Sequence, residues 1–238
     1  MIDFFIIFTI GTYIFLKIIL DIHQIQYIKK AKASKEELDN FSIDAEFFKK
    51  SNLYNIDKLV LSIASMVING SLIIYFIYFE GISSFKEIIS YMNIFNLDEN
   101  LFTIISFVIF MTLINFPFSL YKTFHIEEKY GFNKNILKLF IKDMVISLIL
   151  SVVIVSILFS MLDIFFNNHP GLWWFYIWIV YIIFNIVILY AFPTIIAPMF
   201  NTFEKLSDGT ILNVINKLAK KTNFNIFYVY VMDGSKRS

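Results

Sequence analysis

The chain reads as an all-α polytopic membrane protein of about five transmembrane helices, followed by the start of a small α/β unit at its carboxyl end. Composition points there first: hydrophobic residues make up 58% of the 238 residues and charged residues 16%, against roughly 45–50% and 25% in soluble domains. Mean hydropathy is +0.70. The apolar residues are also grouped, in stretches at 4–20, 59–79, 101–120, 144–162 and 172–191. Each holds about 17–21 residues, which at ~1.5 Å per residue spans the ~30 Å hydrocarbon layer of a bilayer.

Composition also excludes function classes. A net charge of +1 gives no basic face for nucleic acid. The absence of cysteine removes disulfides, thiolate zinc sites and cysteine nucleophiles together.

The first stretch has no basic residue before it and no small-residue cleavage site after it, so it reads as a retained helix rather than a signal peptide. Lysines then alternate with the stretches. Lys29, Lys30, Lys32, Lys35, Lys49, Lys50 and Lys58 lie between the first and second; Lys122, Lys129, Lys134, Lys138 and Lys142 between the third and fourth; Lys205, Lys217, Lys220, Lys221, Lys236 and Arg237 after the fifth. The opposite side holds Lys86. Basic loops stay in the cytoplasm during insertion, which predicts an outside amino terminus and a cytoplasmic carboxyl terminus.

The connections carry their own signals. Ser34 and Glu37 form a capping box ahead of Leu38 and Phe41, predicting a helical excursion. Ser84 and Glu87 repeat the box, and Phe85, Ile88, Ile89 and Met92 give one apolar stripe, predicting a helix in the outer interface. Pro117 should bend the third span, Gly131 should terminate the turn that follows, and Asn133 or Asn135 should cap the fourth helix. Pro193 and Pro198 should break the helix as it leaves the membrane. Ile211, Val214, Ile215 and Leu218 predict a short amphipathic helix over 210–222; residues 224–232 read as a strand closed by an Asp233-Gly234 turn. A strand with no pairing partner is not viable, so the chain is expected to be truncated after entering this unit.

Chemistry is sparse. The histidines are His23, His125 and His169, one in each of three loops, and no two have the helical spacing that lets paired imidazoles hold zinc beside a glutamate. Glu127 and Glu128 beside His125 read as solvated or paired with lysines. His169, ahead of Pro170, Gly171, Leu172, Trp173 and Trp174, reads as a loop entering an aromatic belt. Ser235 lies in a turn without a nucleophile elbow. Lys17, Asp143 and Asp163 lie near span ends where they can reach headgroups, and Asn69, Asn115 and Asn185 read as amides for helix packing. No catalytic residue and no metal ligand is assigned, and the substrate-binding residues are unknown.

The segments FPFSLYKTFHIEEKYGFNK (116–134) and FPTIIAPMFNTFEKLSDG (192–209) resemble the amino-terminal half of the type I CAAX prenyl endopeptidases. So do Phe47 to Ser51 with Tyr54, Asp57 and Lys58, and the closing VYVMDGSKRS. The resemblance implies membrane helices around a water-filled chamber, a zinc ion near the cytoplasmic side, and cleavage of isoprenylated CAAX tails in eukaryotes. In that family the closing segment leads into the His-Glu-x-x-His zinc helix, which this sequence does not contain. The expected division is therefore an amino-terminal membrane domain at 1–203 and the start of the metalloprotease domain at 204–238. Expected partners are the lipid bilayer, a carboxyl-terminal protease portion and a peptide or prenylated protein substrate, with no nucleic acid. Zinc belongs to the full-length family and is not expected on this chain. Two alternatives stay open: a non-catalytic membrane scaffold derived from such a protease, and an unrelated transporter subunit.

Overall fold

The computed structural model describes residues 2–31, 44–92, 97–207 and 209–232. Contacts divide the chain into two units, Met1–Asn133 with Ser151–Ser156, and Lys134–Leu150 with Ile157–Ser238. Among the described residues, five helical stretches are long and apolar enough to cross a membrane: Phe4–Lys30, Ala45–Tyr78, Glu99–Glu127, Leu137–Asn168 and Trp173–Phe200. Each outruns the apolar stretch read from sequence, because the backbone stays helical into the polar flanks, where leaving its hydrogen bonds unmade would gain nothing.

In the first unit, helix α1 (Ile2–Lys30) packs along helix α2 (Ala45–Tyr78). Gly70 permits the close approach, since a Cβ there would strike Ile14 Cδ1. The capping box at Ser34 lies outside the described residues. Helix α3 (Gly81–Ser90) starts three residues ahead of the Ser84–Glu87 box, with Glu80 at φ 54° as its cap. The box fails as a helix start because the Ser84 amide already donates to Glu80 O at 3.1 Å. Its apolar stripe divides: Phe85 meets Phe76 and Phe107 edge-on at 5.9 and 6.0 Å, while Ile88 stays exposed. Helix α3 is thus tethered to the bundle on one side through Phe85.

Helix α4 (Glu99–Tyr121) begins on Asp98, whose Oδ1 accepts from the Leu101 amide at 2.9 Å. Pro117 sits within it, and the chain continues into a π-helical turn, Lys122–Glu127. Proline leaves one carbonyl of the preceding turn without its amide, and a wider turn just beyond is a common way of absorbing the misfit. Gly131 ends the segment at φ 73°, as expected, with its amide donating to Glu128 O at 2.9 Å.

In the second unit, helix α5 (Leu137–Asn168) is capped by Ile136 with no side-chain bond, so neither Asn133 nor Asn135 takes the capping position. Helix α6 (Trp173–Ala191) is not broken by Pro193. It passes into a π-helical turn, Phe192–Ile196, and a last α turn, α7 (Ala197–Phe200). Each proline removes one amide from this continuous helical stretch, and the wider π turn absorbs the misfit at Pro193. Strand β1 (Phe203–Lys205) follows, then helix α8 (Thr210–Lys221) and strand β2 (Tyr230–Met232).

The strands correct a further expectation. Only the last three residues of 224–232 form a strand, and they have a partner: β2 pairs antiparallel with β1 in the register Phe203↔Met232, Glu204↔Val231, Lys205↔Tyr230. The Leu206 amide extends the ladder to Val229 O at 2.9 Å. The partner comes from the segment directly after the fifth span, and a strand of three residues carries no periodicity to reveal it. The Asp233-Gly234 turn and Ser235 lie outside the described residues.

Candidate functional site

Pairs and clusters of polar groups gather in the first unit where the Lys-rich ends of α2 and α4 meet. Asp57 is the centre. Its Oδ2 accepts from Lys129 Nζ at 2.8 Å and from the Tyr130 hydroxyl at 2.8 Å. The Gly131 turn brings both donors to one carboxylate oxygen, and Tyr130 is 5% exposed there. Burial, then the bond to Asp57, pushes the Tyr130 phenol pKa up; the bond to Asp57 raises that of Lys129. Tyr54, one turn before Asp57, meets Tyr130 at 5.6 Å and Phe132 at 4.8 Å, both edge-on. Ile126, 2% exposed, closes the apolar floor. The arrangement clamps the polar turn at 122–132 onto the first turns of α2.

Deeper in the membrane, Asn69 and Asn115 exchange amide hydrogen bonds at 2.9 and 3.1 Å. This ties α2 to α4 as expected for packing amides. Asn185 does not reach across to another helix: it donates to Tyr181 O of its own helix at 2.7 Å. Lys17 reaches one turn forward along its own helix, toward the end of the apolar stretch 4–20, and its ammonium donates to Asp21 Oδ1 at 2.7 Å. Asp21 is 1% exposed, and a buried carboxylate needs a paired cation to offset its desolvation. Asp21 was not singled out from sequence; its signal was the i, i+4 spacing from Lys17.

The histidines remain apart. His23 is exposed on α1, His125 stacks on Tyr121 at 4.6 Å, and His169 tilts against Tyr176 at 4.9 Å. Glu127 pairs loosely with Lys122 at 3.9 Å. Among the described residues no group of three or more His, Cys, Asp or Glu side chains could hold a metal ion. A zinc centre does not fit these residues.

A family model described as the CAAX prenyl protease amino-terminal region, with five membrane helices, matches residues 24–202. The chain belongs to this family. It is similar to the human CAAX prenyl protease 1 homolog, 31% identical over 203 residues, covering 82% of this chain and 43% of that protein. An Arabidopsis thaliana homolog is 32% identical over 241 residues, covering 97% and 55%. The crystal structure of S. mikatae Ste24p superposes with a TM-score of 0.90 at 29% identity, covering 99% of this chain and 56% of that one. The chain spans about half the length of the curated relatives it matches. It is an integral, multi-pass membrane protein of the CAAX protease family, and its clamp joins two segments of the family region, the start of α2 and the turn after α4.

Proposed function

We propose that this chain is the membrane-embedded amino-terminal portion of a zinc metalloendopeptidase of the CAAX prenyl protease 1 type, and forms part of the wall of an intramembrane chamber. The observation that carries this is the superposition on Ste24p over 99% of the chain and 56% of its counterpart. Residues 1–203 form the membrane domain and 204–238 begin the protease portion. The amino terminus lies outside and the carboxyl terminus in the cytoplasm, supported by the partition of lysines. Zinc, the prenylated or peptide substrate and the hydrolysis itself belong to the assembly completed by a carboxyl-terminal portion. The exposed apolar face of α8 at Ile211, Val214 and Leu218, which needs a covering partner, supports this division.

Zinc content and cleavage of a prenylated peptide, measured in detergent, test the reading. The 238-residue chain is expected to retain no stoichiometric zinc and to cut nothing; the same chain joined or mixed with a family protease portion bearing His-Glu-x-x-His is expected to do both. Chelator-sensitive peptidase activity from the 238 residues alone would overturn the division and return a metal role to His125 and Glu128.

A further inference from the structure

Two polar stripes face each other between α2 and α4. On α2, Lys58, Ser62, Ser65 and Asn69 follow at steps of four, three and four, which keeps them on one face. On α4 and its π turn, Asn115, Ser119 and Lys122 follow at steps of four and three. The Asn69–Asn115 bonds close the stripes at their deep end. Above that floor lies an open cleft of about 330 Å³, with the two lysines at its mouth, Ser62, Ser65 and Ser119 inside, and Leu61 and Phe118 as apolar walls.

Neither lysine is held tightly by an acid. The Lys58 ammonium rests over the Tyr54 ring at 4.9 Å, and Lys122 reaches Glu127 only at 3.9 Å. Among the described residues no ion pair forms at Lys58. Two positive charges therefore converge on a shared space whose lining can donate hydroxyl hydrogens.

We propose that this cleft binds the phosphate of an anionic phospholipid, with Lys58 and Lys122 pairing its charge and the serine hydroxyls meeting its glycerol esters. Depth selects a lipid over a soluble anion. Lys58 immediately precedes the apolar stretch 59–79 and Lys122 closely follows 101–120, so both ammonium groups sit at headgroup level. Basic pockets between membrane helices at that level suit lipid phosphates. Leu61 and Phe118 continue the wall downward, where acyl chains would run. A peptide carboxylate would find the same charge but no use for the apolar wall of Leu61 and Phe118.

Native mass spectrometry of the full chain, released from nanodiscs of phosphatidylcholine containing phosphatidylglycerol, tests the site. The chain should retain phosphatidylglycerol in preference to phosphatidylcholine. Lys58→Gln with Lys122→Gln should weaken retention roughly thirtyfold, the combined weight of two headgroup-level lysines. Lys58→Arg with Lys122→Arg should keep it, which separates lost charge from lost folding. Lys138→Gln with Lys142→Gln removes equal charge elsewhere and should change nothing. Equal loss in that control pair, or no preference for phosphatidylglycerol, would overturn the proposal. So would displacement of the lipid by dilute glycerol 3-phosphate, assigning the cleft to a soluble phosphoester, or by a free-carboxylate peptide but not its amide, assigning it to a protein ligand.

Discussion

Asp57 shows how one side chain can hold two segments that sequence places far apart. It accepts from Lys129 and from the buried Tyr130 hydroxyl through a single oxygen. Replacing it with alanine leaves that hydroxyl without its acceptor, which should cost about 1–3 kcal/mol in denaturant or thermal unfolding in detergent. Lys129→Met removes an exposed ion pair and should cost about 0–1 kcal/mol. The advantage of Asp57 over alanine should also shrink at alkaline pH. Tyr130 and Lys129 both have raised folded pKa values, so the folded chain holds these protons more tightly than the unfolded one. The contribution is complete below their ordinary range near about 10 and is lost as pH rises through the folded values. A wild-type advantage that is unchanged or larger at high pH would show that these protons do not hold the clamp. At this scale sequence placed Tyr54, Asp57 and the 126–134 turn in recognisable segments, and Gly131 announced its own left-handed backbone. The convergence on Asp57 was not legible, because it depends on contacts across more than seventy positions that no local period records.

At the scale of elements, the apolar stretches were plain and their ends were not. Hydropathy reports where lipid must be, whereas helices end where backbone hydrogen bonds find another partner. Pro193 and Pro198 were read as breaks and are first-turn residues of π and α segments instead. The packing amides were legible only in part, since an asparagine in a span can turn across to a neighbour, like Asn69, or back to its own helix, like Asn185. A double-mutant cycle distinguishes the two. Asn69→Leu and Asn115→Leu should be coupled by roughly 0.6 kcal/mol, with an upper range of ~1.7, as measured for interhelical bonds in membranes. Additive losses within error would mean that the two amides, though adjacent, do not stabilise the α2–α4 seam.

For the whole molecule, the ordering of charge is the property that sequence alone decides best, because it is set during insertion rather than by later packing. If all five apolar helices cross, alternation alone puts the lysines at 29–58, at 122–142 and from Lys205 onward on one side of the membrane. Lys86 on the other side is engaged by Asn100 at 2.9 Å and by Glu99 at 3.4 Å, which blunts the one charge opposing the pattern. Positive charge in short loops is worth enough during insertion to fix orientation, so the proposed topology follows from an odd number of spans and an outside start. Reporter fusions after Lys50, Lys134 and Lys221 should all report the cytoplasm, and fusions after Asn96 and Asn168 the outside. Moving lysines tests the cause as well as the result. Neutralising Lys49, Lys50 and Lys58 while adding lysines beside Lys86 should yield a mixed population at the first two spans, with the later ones retained by the 122–142 and 205–221 lysines. A cytoplasmic signal after Asn96 in the unaltered chain would mean that one of the first two spans does not cross, and the outside placement of the amino terminus would fall with it.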